Sequence, residues 1–413
     1  MHDQATHGTG LGERRYDLDW IRIGAFAVLI VYHVGMYYVT WDWHVKSPHP
    51  STAIEPLMML TSPWRMSVLF LISGVATGYL LARAAPGFLR QRSARLLVPL
   101  LFGMFVIVPP QSYCEVVEKI AYPGTYAEFW RLYATGYGGL CRGSDCLRVP
   151  TWNHLWFVAY LWVYTLLLWV LVRAAPGAVR VLRAMAERRL AGAGLLLWPI
   201  VYFSIARLTL FAAFPSTHAL AGDWYNHALY APVFVGGFLL AGTRAPWAAC
   251  ARLRWHALGL ALLGWVFLIA YFGIYADDAV PLPAGMLTLQ RVIYAAMQWL
   301  PVVAVAGFAY RHLQVDNAAR RYLTTAIFPV YILHQTIIVV LAHRLKAAHL
   351  DSALEALLLI VATAAGSLLC YEAIRRVRWL RPLFGLPLAA QALPRAEAGP
   401  RRDTARAWVD DLQ

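Results

Sequence analysis

The chain has 413 residues, 60% of them hydrophobic and only 14% charged, with a mean hydropathy of +0.52 and a formal net charge of +14. That balance excludes a soluble globular protein and identifies an integral membrane protein. The basic excess does not point to nucleic acid, because the arginines are spread over six separate segments rather than gathered on one surface.

Apolar runs long enough to cross a hydrocarbon core of about 30 Å as helices recur from end to end. In chain order they predict membrane helices at 19–41, 61–82, 96–113, 153–172, 190–213, 226–243, 255–275, 288–310, 323–343 and 352–374. The runs are continuously apolar rather than alternating, which selects helices over a barrel. The expected fold is therefore all-α, a polytopic membrane bundle of about ten transmembrane helices. No cleavable signal peptide is legible, so the first helix is expected to stay in the protein. Between the first two runs, Trp41 to Ser62 is too rich in proline for one regular helix, and Cys114 to Trp152 reads as a long loop with turn signals and many aromatics. Inside that loop Cys141 and Cys146 can either close a small disulfide in an oxidising compartment or remain thiols. Residues 1–381 are expected to form one membrane domain, and 382–413, rich in Pro, Ala and Arg, a disordered cytoplasmic tail.

Lysine and arginine set the orientation, since they are retained on the cytoplasmic side. One set of connecting segments holds 25 of them, including both chain ends, and the opposite set holds nine. Both termini are thus expected in the cytoplasm, and the net charge is mostly this topological signal.

Several polar residues nonetheless sit inside the apolar runs, where they are costly and usually face the bundle interior or a cavity. Arg22 and His33 lie eleven positions apart in DLDWIRIGAFAVLIVYH, nearly on one helical face and about 16 Å apart along the axis. Asp19, three residues before Arg22, can pair with it. The stripe leads from the cytoplasmic mouth to a histidine in the outer half. The blander alternative is that Arg22 snorkels to the headgroups and His33 only packs. Arg92 and Arg95, at i and i+3 in FLRQRSARLLVP, can present two guanidinium groups to phosphate, or merely mark the inner side. Asn153 and His154 stand at an outer helix start flanked by Trp152 and Trp156, which also suit an interfacial aromatic belt. His334 and Gln335 lie within FPVYILHQTIIVV, and Arg207 needs a partner such as Asp223 or an acidic substrate.

These landmarks resemble the family-3 membrane acyltransferases, integral membrane enzymes that O-acylate extracytoplasmic carbohydrates. The resemblance is carried by Leu18, Asp19, Arg22 and His33 in the first helix, the basic pair Arg92 and Arg95, the HLWF motif from His154 to Phe157, and VYILHQ in a late helix. WHVKS after the first run, and WRM followed by FLISG in the second, look similar to the branch that succinylates osmoregulated periplasmic glucans. The resemblance implies an O-acyltransferase of the inner (plasma) membrane. It would take an acyl group from cytoplasmic acyl-CoA as donor substrate, with no bound cofactor or metal, and deliver it to a hydroxyl of an extracytoplasmic glycan. His33 and Arg22 are then the expected catalytic residues. Asp19, Arg92, Arg95 and His334 are expected on the donor side; Asn153, His154, Trp152 and Trp156 on the acceptor side. The expected partners are the lipid bilayer, acyl-CoA and the glycan, with no nucleic acid. The competing reading is a proton-coupled transporter or flippase, in which the buried His and Arg form a relay; no internal repeat supports it.

Overall fold

The computed structural model describes residues 15–83, 87–143, 145–276 and 280–388. The chain runs through α1 (Tyr16–Tyr38), α2 (Glu55–Thr61), α3 (Arg65–Ala82), α4 (Phe88–Phe102), α5 (Pro109–Ile120), α6 (Tyr126–Ala134), α7 (Trp156–Ala174) and α8 (Pro176–Arg189). It continues through α9 (Gly194–Leu210), α10 (Trp224–Leu240), α11 (Ala245–Ile274), α12 (Met286–Met297), α13 (Leu300–His312), α14 (Ala318–Leu345) and α15 (Ser352–Arg376). Local chemistry sets many of these starts. Proline occupies the first turn of α2, α5, α8, α11 and α13, where its missing N–H costs nothing, while Asn317 and Asp351 cap α14 and α15 through their side chains.

Every predicted apolar run is mostly helical, with breaks at 62–64 and 190–193 and ends that run a few residues past α1, α9 and α10. Among the described residues, eight helical segments are long and apolar enough to cross a membrane, and a ninth arises if α8 and α9, bent by 113°, count as one span. The run at 226–243 is covered by α10, a helix of only 17 residues. The run at 288–310 is interrupted at Gln298 and Trp299, because Pro301 opens a new helix there.

The long segment from Cys114 to Trp152 is more ordered than its turn signals suggested. α5 extends to Ile120, and α6 is nucleated by a reciprocal capping box in which Thr125 N–H donates to Glu128 at 2.7 Å and Glu128 N–H to Thr125 Oγ1 at 3.4 Å. Cys141 and Cys146 face each other across a two-stranded hairpin and are joined by a disulfide. At the C-terminal end, the boundary of the bundle lies beyond Arg381: Phe384 and Leu386 are buried, with Phe384 edge-on to Phe102 at 5.3 Å. The rest of the expected tail, 389–413, lies outside the described residues.

The core is tightest between α3 and α10. A Cβ on Gly74 would stand 1.9 Å from the Phe234 carbonyl oxygen, and one on Gly237 would stand 2.1 Å from that of Leu71. The two backbones touch through reciprocal glycines, the close approach that small residues allow between membrane helices. Gly74→Val is therefore expected to lower stability by about 1–3 kcal/mol or abolish assembly. A lower midpoint for heat-induced loss of monodisperse protein in detergent checks this, and an unchanged midpoint refutes it.

Candidate functional site

α1 and α14 run side by side in the same direction. Arg22 donates to the Thr324 carbonyl at 3.0 Å, Phe26 packs edge-on to Tyr331 at 5.4 Å, and His33 meets His334 at 2.9 Å. The contacts ascend together along both helices. The Arg22-to-His33 stripe is thus a packed seam, which corrects the path from the cytoplasmic mouth to His33 that its spacing suggested. The reason is geometric: residues at i, i+4, i+7 and i+11 share the face that a neighbouring helix covers.

At the His33 end, the hydrogen bonds define the protonation pattern. The Tyr331 carbonyl can only accept, so His334 Nδ1, 2.7 Å away, carries a proton. In neutral His334 the Nε2 is then an acceptor, and the contact to His33 requires His33 Nδ1–H to donate. His33 Nε2 is left with its lone pair. The rings lie nearly parallel, 5.1 Å between centroids, and Trp43 stacks on His33 from 6.4 Å. This is the arrangement of an oriented base backed by a second residue that fixes its tautomer.

His154 completes the cluster. Its ring is perpendicular to His334 at 5.2 Å, its Nε2 donates to the Ile332 carbonyl at 3.0 Å, and its buried Nδ1 has no hydrogen-bond partner among the described residues. The Tyr331 hydroxyl in turn donates to the His154 carbonyl. His154 reaches this depth through a 3₁₀ turn, Asn153–Leu155, whose first residue has φ +41°, a left-handed conformation that asparagine tolerates better than most.

A cavity of about 610 Å³ opens beside these residues. Its walls include His33, His154, Asn153, Trp152 and Trp156, so five of the sequence-predicted residues, drawn from distant parts of the chain, converge on one space. Trp152 Nε1–H is anchored on the His218 carbonyl at 2.9 Å, and the His218 ring lies 4.3 Å from Trp156. Below, Gln335 donates to His44 Nε2 and to Gln111, both at 2.9 Å, while His44 Nδ1 contacts Glu115 at 2.6 Å.

Of the other residues that sequence singled out, Gln335 and Arg207 also line the cavity, and the rest lie elsewhere. His334 stands behind His33 rather than in the cavity wall. Arg22, Arg92 and Arg95 form a separate cluster at the opposite end of the seam, close enough for the charges of Arg22 and Arg95 to act on Arg92. Arg92 Nε is buried with no hydrogen-bond partner among the described residues. Asp19 pairs with the buried Arg320 of α14, which Asp316 also holds at 2.7 Å, so it ties two helices together. Arg207 is not paired with Asp223: it donates to the Tyr225 hydroxyl at 2.9 Å, whereas Asp223 is satisfied by Tyr160, Asn226 and the backbone of Thr217 and His218.

Arg65, Trp43, His44, Tyr225, Tyr331 and His218 also belong to this region and were not singled out by sequence. His44 stood within the WHVKS motif, and that was its only signal. Trp43 opens the same motif, Arg65 is the middle residue of WRM and Tyr331 belongs to VYILHQ, whereas Tyr225 and His218 carry no signal, because aromatics at membrane boundaries are common.

A model of the acyltransferase-3 family, described as an acyltransferase domain, matches residues 15–372. The chain is similar to proteins named Glucans biosynthesis protein C. It is 24% identical over 336 residues to that of Escherichia coli O1:K1 / APEC and 23% identical over 333 residues to that of Escherichia coli O6:K15:H31 (strain 536 / UPEC), each alignment covering 78% of this chain and 81% of the relative. No solved structure matches the chain. The match spans the helices that carry both the arginine cluster and the histidine cavity, and with it the chain belongs to the acyltransferase-3 family: it is a multi-pass membrane O-acyltransferase.

Proposed function

We propose that this enzyme takes an acyl group from cytoplasmic acyl-CoA and esterifies a hydroxyl of an extracytoplasmic carbohydrate, a glucan in view of its relatives' name, from the inner membrane of the cell. The observation that carries the reading is His33, whose Nε2 lone pair is fixed by His334 beside a cavity walled by tryptophans. Counting α9 and α10 as full crossings gives ten. About 17 residues is the lower limit for a spanning helix, and an even count puts both termini on one side, in keeping with the 25-to-nine distribution of basic residues.

The two ends of the seam divide the labour. Arg92 and Arg95, with Arg22 near them, offer a cationic surface to the phosphates of CoA. Because the Arg22-to-His33 seam is packed, the pantetheine arm enters beside it rather than along it. In the cavity the acceptor sugar stacks on Trp152 or Trp156, with Asn153 and His154 offering hydrogen bonds to its hydroxyls. His33 Nε2 removes the hydroxyl proton as the oxygen attacks the thioester carbonyl; the C–S bond breaks and the imidazolium returns its proton to the CoA thiolate. His334 accepts the hydrogen bond from His33 Nδ1 throughout. The acyl group, succinyl or acetyl, is small enough for the cavity in either case.

The test uses purified protein in vesicles, with labelled acyl-CoA on the side of Arg92 and glucan on the other. Ester-linked label on the glucan is expected. Movement of intact label without covalent transfer overturns the reading in favour of a transporter. Replacing both Arg92 and Arg95 with glutamine is expected to raise KM for acyl-CoA by about tenfold or more while leaving acceptor KM near its original value. An unchanged donor KM removes them from the donor site.

A further inference from the structure

The cavity wall holds two arginines that the reaction as described does not use. Arg65 lies with its guanidinium 3.3 Å from the centroid of the Tyr32 ring, one residue from His33, and its Nε and one terminal nitrogen are buried without a hydrogen-bond partner among the described residues. Arg207 is 6% exposed and its guanidinium lies over Tyr294 at 3.8 Å and Phe211 at 4.2 Å, with Nε likewise unpartnered among the described residues. Among the described residues neither arginine makes an ion pair. Among the described residues Asp42 is the single acid in the cavity wall, and it is already paired with Lys119 at 2.8 Å.

A desolvated guanidinium without counter-charge is costly in a membrane protein and is retained where a ligand supplies the charge. The neighbouring hydrogen bonds favour the same ligand. Arg207 and the Gln298 side-chain amide both donate to the Tyr225 oxygen, at 2.9 and 3.0 Å, which leaves the Tyr225 hydroxyl hydrogen free to donate. Stacking on rings fixes the planes of the guanidinium groups while their N–H edges stay available, as planar bidentate recognition of a carboxylate needs.

We propose that Arg65, Arg207 and Tyr225 form a carboxylate subsite in the cavity, which holds an acidic group carried by one of the two substrates beside His33. The proposal rests on the cavity being the acyl-transfer site. The carboxylate has two possible bearers, the far end of a dicarboxylic acyl chain or an acidic group on the glycan. For the first, the subsite measures the acyl chain; for the second, it selects the acceptor.

Binding, read without turnover, separates these sources and does not depend on the reaction. The probes are monomethyl succinate against methyl butyrate for the acyl side, and glucuronate against glucose for the acceptor side, titrated into the purified full chain in nanodiscs. The expected result is that one acid binds at least about tenfold more tightly than its neutral counterpart, and that Arg65→Gln with Arg207→Gln removes the difference. The double variant must keep the wild-type melting temperature, and each single variant is titrated in case it does not. Equal binding of acid and neutral probe in both pairs overturns the subsite, as does a folded double variant that still discriminates. A wild-type protein that discriminates charge but transfers no acyl group refutes the proposed reaction and leaves the subsite standing.

Discussion

Replacing His33 with alanine is expected to lower the acyl-transfer rate by about 10²- to 10⁴-fold, the usual contribution of a positioned general base. The bundle should still assemble, because the ring borders a cavity and its polar contact is to one other side chain, His334. Initial rates with labelled donor in vesicles, together with the melting temperature, check this. A variant that melts like the wild type yet turns over near its rate removes His33 from the chemistry. The same preparation tests the order of events. Donor supplied without acceptor leaves no acyl group on the protein if the hydroxyl attacks directly, whereas label recovered on His33 by mass spectrometry establishes a covalent intermediate instead.

The second large effect is expected at His334. Alanine there removes the acceptor for His33 Nδ1–H, so the His33 proton is free to move to Nε2 and abolish the base. A fall in kcat of about 10²-fold is expected, with little change in KM. Glutamine can place an amide oxygen near the position of Nε2, and His334→Gln should recover part of the loss. A purely structural role would instead lower the melting temperature of both variants and leave the pH–rate profile unmoved. Identical kinetics in wild type and His334→Ala would exclude the positioning role.

What the amino-acid sequence determined by itself was the class of protein and the identity of several of the residues that meet. Continuous apolar runs admit only helices in a bilayer, because every backbone group must be paired inside its own segment. His33, His154 and His334 stood out because an ionisable group in such a run is rare enough to need a reason. The amphipathic α6 was legible too, in Thr125 and Glu128, but was hidden among stronger turn signals.

The tertiary structure alone decided how those residues are used. Helical phase put Arg22 and His33 on one face, yet phase cannot say whether a face meets a cavity or another helix; packing of Phe26 on Tyr331 made it a seam. Asp19 found Arg320, and Arg207 found Tyr225, across separations that no local spacing rule reaches. The tautomer of His33 depends on a carbonyl at residue 331, since a histidine's proton sits wherever its second nitrogen finds a partner. Arg65 stood only as the middle residue of WRM: an arginine at the start of a membrane helix looks like an interfacial charge until the chain folds around it and leaves it in the wall of the cavity beside His33.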